Sequence, residues 1–344
     1  MSKKKFVFLP FTIATLAIVF ILGVSLTTST SPVIFEAQTV SGCTPISVAP
    51  YTIASSGTYC LTRHIITAQS AISINADNVV LDFNGYSIMG SRHPMTVSIG
   101  IHASDRRNIH IKNGIITGFM YAIRISDSAY GQSIPYNSGY HVIEGMTISH
   151  SIFRGIGIQG DGNVIQNNII RDIQGNQRYT NGYAMGIEAT GLGVLIQNNR
   201  IFDVRGYGTA DIGEGVGISL SSDAEGSLVL GNTISNGGLE ESAQSDFGLL
   251  SRSTWGIWLG GETGAIVSDN FILNYAYGIG LSETISPSVI SNNTIMSAYL
   301  PISVSLFAGR DNIHVFSKNI CSGVPCFDIC VIGSCQLADY LPPR

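Results

Sequence analysis

Charge is scarce in this sequence: 12% of its 344 residues are charged, with 18 Lys and Arg against 23 Asp and Glu. Beyond Lys3–Lys5 no basic cluster occurs. A phosphate backbone is held by clustered cations that displace its counterions, so nucleic acid is excluded as a partner. The helical pattern is missing as well. No stretch keeps a 3.6-residue apolar period over three turns, which excludes a helical bundle or helical repeat. Only two Trp are present, and both fall within Trp255–Trp258.

What is there is repetition. "FRGIGIQGDGNVIQNNIIRDI" (153–173) is followed by "AMGIEATGLGVLIQNNRIFDV" (184–204). Asn168 and Asn199 begin a column that continues as Asn232, Asn270, Asn293 and Asn319. Two residues later stand Ile170, Ile201, Ile234, Ile272, Ile295 and Cys321; three residues earlier stand Ile165, Ile196, Val229, Val267, Ile290 and Phe316. A Gly-Ile pair recurs at Gly155-Ile156, Gly186-Ile187, Gly217-Ile218, Gly256-Ile257 and Gly278-Ile279. Upstream the pattern continues through "IGIHASDRRNIHIKNGIITGF" and "AISINADNVVLDFNGYSIMG". About nine units result, at intervals of roughly 22–38 residues, which is the range of stacked repeats.

The apolar runs are short and rich in Val and Ile, and Gly, Asn, Asp and Ser punctuate them, so the units are strands and turns. One coil cannot bury its apolar side alone; stacking supplies both core and partners. A repeated Asn would then stack on the next and bond its side-chain amide between coils. Propeller blades need about 40–45 residues each, and a leucine-rich repeat needs helical segments and a Leu consensus. The reading is an all-β, right-handed parallel β-helix of about nine coils. Its expected divisions are an N-terminal cap at 38–70, the coil stack at 71–320 and a Cys-rich cap at 321–344.

These "GI…I..N.I" units resemble the parallel β-helix repeats of the pectin-lyase-like superfamily, over roughly Ile72 to Ile320. That superfamily includes lyases, glycoside hydrolases, esterases, epimerases, phage spikes and adhesins, so the resemblance implies a fold rather than a reaction. The Asn-Thr-Asp, Asp-Asp, Gly-His-Gly and Arg-Ile-Lys motifs of its polygalacturonases are absent. So are the Trp-Ile-Asp-His segment of pectate lyases, the Asp-Pro-His-Asp pattern of alginate C5-epimerases and Gly-Gly-x-Gly-x-Asp calcium repeats. No catalytic residue transfers from those families.

The chain opens with a basic head, Lys3–Lys5, and an apolar stretch from Phe6 to Leu26. This reads as an export signal within 1–37, with an uncleaved membrane anchor as the alternative. A secreted or cell-surface location follows, and six Cys support it. Six cysteines allow 15 pairings; the expectation is Cys43–Cys60 across the first cap and two bridges among Cys321, Cys326, Cys330 and Cys335. The tail spacing suits zinc poorly.

Within each Gly-Ile strand the Ile points inward, so the next residue points out. That outward row reads His102, Arg124, Gly157, Glu188, Ser219, Trp258, Gly280 and Ser303. A second row, nearer the turn, reads Ile99, Tyr121, Arg154, Met185, Val216, Trp255, Tyr277 and Pro301. His102, Arg124, Arg154 and Glu188 are the candidate catalytic residues. Tyr121, Trp255, Trp258 and Tyr277 are candidate platforms for sugar rings. Asp105 and Asp127 lie in a recurring acidic turn with Asp161, Asp223, Glu262 and Glu283; the first two are the candidate Ca²⁺ ligands, with capping of backbone amides as the structural alternative. Four polar insertions, 126–140, 174–183, 205–215 and 236–253, are expected on one edge as a wall over this face. The function expected is a lyase or C5-epimerase acting on an acidic polysaccharide, the alternative being a non-catalytic solenoid that binds a surface glycan or a protein. Covered ends favour a monomer.

Overall fold

A computed structural model describes residues 42–132, 135–176, 184–206, 215–221, 223–237, 254–261, 264–282, 286–296, 300–304, 315–321 and 324–325. Each coil adds short strands that pair in parallel with the coils before and after it, and the stack is a right-handed parallel β-helix. Ten strands, from Tyr51–Ile53 to Leu300–Val304, form the sheet that carries the Gly-Ile column. A second sheet of twenty strands holds two parallel tracks. The tracks merge where Ile109–Thr117 and Val142–Ser149 run through the intervening corner unbroken.

The register follows the sequence columns. Ile156 pairs with Ile187, Ile187 with Ile218, Ile218 with Ile257 and Ile257 with Ile279, and none of these side chains is exposed. Ile165, Ile196, Val229, Val267 and Ile290 form a second buried column, and Ile170, Ile201, Ile234, Ile272 and Ile295 a third. The Gly before each Ile answers a packing demand. A Cβ at Gly186 would stand 2.6 Å from the Gly217 carbonyl oxygen and 2.8 Å from Ile201 Cγ2. Any side chain there pushes neighbouring coils apart.

The Asn column is a ladder, as the sequence predicts. Asn232 Nδ2 donates to the Ile196 carbonyl and to Asn270 Oδ1, both at 3.0 Å. Its Oδ1 accepts from the amide and the Nδ2 of Asn199, at 2.9 and 3.1 Å. The same contacts run from Asn168 to Asn319. Left-handed geometry falls one residue before the ladder, at Asn167, Asn198, Gly231, Asp269, Asn292 and Lys318, with φ between 54° and 62°. That turn aims the following Asn into the core. Upstream the column passes to Met146, whose amide still donates to Asn168 Oδ1, and then to Gly114.

Coiling starts earlier than the repeat signature. Thr44–Ile46 pairs with Gly57–Leu61, which pairs with Val79–Asp82, and Tyr51–Ile53 pairs with Ile72–Ile74. The segment expected as a separate cap supplies the first rungs instead. A terminal coil has no neighbour on one side, so it needs neither the stacked Asn nor the close-packed Gly that make later coils recognisable. Cys43 and Cys60 form the expected disulfide across these rungs, Cα atoms 5.8 Å apart. Cys321 is also disulfide-bonded; Cys326, Cys330 and Cys335, like Phe6–Leu26, lie outside the described residues.

Candidate functional site

Parallel pairing brings the outward row together as the sequence predicts. His102 pairs with Arg124, Arg124 with Gly157, Gly157 with Glu188, Glu188 with Ser219, Ser219 with Trp258, Trp258 with Gly280 and Gly280 with Ser303. Adjacent members are about 4.8 Å apart, one strand spacing. The second row runs through Tyr121, Arg154, Met185, Val216, Trp255 and Tyr277 but ends at Leu300, not Pro301. Pro301 takes the Gly position of its coil; Leu300, two residues before Ile302, keeps the spacing of the row.

A cleft of about 260 Å³ opens on the coils of Tyr121–Ser126, Arg154–Gln159 and Ala184–Thr190. Tyr121, Arg124, Tyr130, Phe153, Arg154 and Glu188 supply its chemistry. A Cβ at Gly157, between Arg124 and Glu188 in the row, would stand 3.1 Å from the Tyr121 ring, which lies across that rung. Arg124 is exposed, and its guanidinium lies 5.1 Å from the centre of the Tyr121 ring. Tyr121 meets Phe153 edge to face at 5.4 Å.

Arg154 differs from Arg124 in kind. It is buried, its Nε donates to Glu188 Oε2 at 2.8 Å, and its guanidinium covers the Phe153 ring at 3.8 Å. The two arginines expected as equivalent neutralisers therefore divide: Arg154 positions Glu188, while Arg124 faces the cleft. Removing Glu188 would leave a buried cation without its partner. His102 stands one rung beyond Arg124 and is not part of the cleft lining. Its pKa is lowered first by burial and then by the charge of Arg124, which favours neutral imidazole.

The insertion at 126–140 lies on a different edge from the one expected. It follows the Gly-Ile strand Tyr121–Ser126 and precedes Val142–Ser149, whereas the other three insertions precede a Gly-Ile strand. Most of those three lies outside the described residues. The 126–140 loop is pinned along the stack. Arg107 donates to the carbonyls of Asn137 and Tyr136, at 2.8 and 3.0 Å, and the Tyr136 hydroxyl donates to Asp223 Oδ2 at 3.0 Å. Asp223 follows the strand Gly215–Leu220, three coils beyond the loop's own. The loop places Tyr130 at the cleft, a residue that the sequence reading missed. Its signal was present in three tyrosines, 130, 136 and 140, within an otherwise polar insertion. Burial, then the carboxylates of Glu188 and Asp223, raise the Tyr130 pKa and keep its phenol protonated.

Asp105 and Asp127 do not fit as Ca²⁺ ligands. Asp127 is buried and accepts the amides of Ala129 and Ser138 on its two oxygens. Asp105 accepts the Ser128 amide at 2.7 Å and the Ser104 hydroxyl. These bonds, the Ser128 amide first among them, lower the Asp105 pKa. Among the described residues no three of His, Cys, Asp and Glu converge on one point, whereas Ca²⁺ takes six to eight oxygens. The acidic turn caps amides, as Asp161 does for Leu192 at 2.9 Å; Glu262 and Glu283 lie outside the described residues.

Further along the face Trp255, Trp258 and Tyr277 cluster. Trp255 stacks on Tyr277 with centroids 4.1 Å apart and planes 14° from parallel, and Trp258 meets Trp255 at 4.5 Å and 68°. Both indoles lie over Gly280, where a Cβ would come within 2.3 Å of Trp255 and 2.8 Å of Trp258. The three aromatics form one compact shelf rather than separate platforms. Trp258 sits two rungs past Glu188.

No protein-family model matches the sequence, and no curated protein is similar to it. Solved structures do share the architecture. The periplasmic alginate epimerase AlgG is 14% identical over 74% of this chain and 58% of its own, with a TM-score of 0.51. XylC, solved with xylose, is 17% identical over 72% of this chain and 40% of its own, at 0.48. An alginate lyase from Paenibacillus sp. str. FPU-7 is 12% identical over 80% of this chain and 97% of its own, at 0.48. This chain thus spans 58% or less of the length of the first two. At such identities the likeness is one of fold, the right-handed parallel β-helix.

Proposed function

We propose that this is an exported protein whose cleft binds an acidic polysaccharide and removes the C5 proton from a uronic acid unit. The observation that carries the reading is the exposed Arg124 beside Tyr121, whose ring lies across Gly157, with His102 on the next rung. A C5 proton becomes acidic only when the adjacent carboxylate is neutralised as charge builds on it. Arg124 supplies that neutralisation, and Tyr121 gives the ring a surface. His102, favoured in its neutral form, is the base, since an imidazole accepts a proton near neutral pH. Arg154 orients Glu188 at the far end of the cleft, where it accepts sugar hydroxyls. The Cys43–Cys60 bridge supports an oxidising compartment, hence secretion or display at the surface.

The shelf of Trp255, Trp258 and Tyr277 favours the second reading, a solenoid that holds glycan without chemistry. One experiment separates the two. A panel of polyuronates is incubated with the protein in D₂O, and deuterium at C5 and unsaturated ends are followed by NMR and absorbance. Deuterium incorporation in the wild type, falling roughly 100-fold in Arg124→Ala with an unchanged melting temperature, is the expected result. Tight binding of a polyuronate with neither exchange at C5 nor unsaturated ends would establish the binding solenoid instead.

A further inference from the structure

We propose that Tyr130 is the proton donor to the departing glycosidic oxygen, so that the cleft cleaves its glycan by elimination rather than inverting C5. The inference rests on the proposed C5 chemistry and asks what completes it. After the C5 proton moves to His102, the carbanion returns to a sugar in one of two ways. A proton arrives at C5 from the opposite face, or the C4–O4 bond breaks and O4 takes a proton. Elimination needs a donor that is neutral at working pH and stands beside the leaving oxygen.

The cleft offers few such groups. Glu188 is engaged by Arg154 Nε at 2.8 Å, which turns its carboxylate toward that guanidinium. Arg124 and Arg154 keep their protons. Tyr121 lies under the Arg124 guanidinium and against Phe153. Tyr130 comes from the 126–140 loop, lines the cleft and is 45% exposed. Its loop is fastened at several points: Asp127 takes the amides of Ala129 and Ser138, Arg107 holds two carbonyls, and Tyr136 reaches Asp223. Such a loop presents a phenol in a fixed place, which a proton transfer requires. Burial, and then the carboxylates of Glu188 and Asp223, raise its pKa, so the O–H is retained until an alkoxide forms beside it.

The step balances as follows. The C5–H pair becomes the C4=C5 double bond as His102 takes the proton. The C4–O4 pair leaves on oxygen, and Tyr130 transfers its hydroxyl proton to that oxygen. One glycan becomes two chains, one with an unsaturated end. Imidazolium and phenolate then return to their starting states by exchange with water.

The test is Tyr130→Phe on the full chain in D₂O, with the polyuronate on which the wild type shows C5 exchange. The variant should retain C5 deuterium incorporation within about threefold while unsaturated ends fall at least about 100-fold, because only the second proton transfer is removed. Equal loss of both with an unchanged melting temperature, or cleavage at the wild-type rate, overturns the assignment. A wild type that exchanges C5 yet forms no unsaturated ends also overturns it, while leaving the C5 chemistry standing. A wild type with neither exchange nor unsaturated ends removes both.

Discussion

The Asn ladder and the outward row of the Gly-Ile face are built on the same spacing and obey opposite rules. Inside, from Asn168 to Asn319, one residue type recurs at every rung because each amide must satisfy its neighbour in the absence of water. Outside, His102, Arg124, Gly157, Glu188, Ser219 and Trp258 follow one another with no repetition. Water satisfies whatever stands there, so stacking places no demand on residue type. Repetition marks the positions that hold coils together, and departure from repetition marks those free to do chemistry.

The largest effect expected on this contrast is inside. Asn232→Ala removes four side-chain bonds and leaves the Asn199 backbone amide without its acceptor in the core. It should lower unfolding free energy by roughly 3–5 kcal/mol, read by denaturant titration. A loss below about 1 kcal/mol would mean that the ladder is incidental to coil stacking.

Buried His141 sharpens the comparison through pH. The Ile109 amide donates to its Nδ1 at 3.1 Å, and burial pushes its pKa down to about 4. The neutral ring is therefore the native form. Its contribution is complete above the unfolded pKa, near 6.5, and is lost as pH falls toward the folded value. Between pH 7 and pH 4.5 the chain should lose about 2–3 kcal/mol to this one group. His141→Gln should flatten that part of the stability profile; an unchanged slope would place the sensitivity elsewhere.

The smallest effect belongs outside. Trp258→Ala should leave stability within about 1 kcal/mol of wild type and weaken oligosaccharide binding roughly tenfold, about 1.4 kcal/mol. Calorimetry that finds binding unchanged would reduce the shelf to packing over Gly280.

The outcome for the candidate residues follows the same division. Register places Tyr121, Arg124, Arg154 and Glu188 in one cleft as the repeat implied, because parallel rungs leave no freedom in alignment. The different states of Arg124 and Arg154 were not legible. They depend on where two side chains turn after leaving the backbone, and Phe153 and Glu188 capture only one of them. Asp105 and Asp127 looked like metal ligands because neighbouring carboxylates are ambiguous until their hydrogen-bond partners are known. Tyr130 stayed hidden because it lies in an insertion outside the repeat, where no column assigns a direction.

The sequence by itself determined the coil, its register, the inward columns, the Asn ladder and the Cys43–Cys60 bridge. All of these are periodic or nearly local demands, and burial enforces each of them at every rung. Only the tertiary structure decided that Thr44–Ile46 already belongs to the coil stack, that the 126–140 loop lies on a different edge, and that Arg154 turns toward Glu188. Those features depend on single contacts between coils far apart in the chain, and a repeat carries no record of contacts made only once.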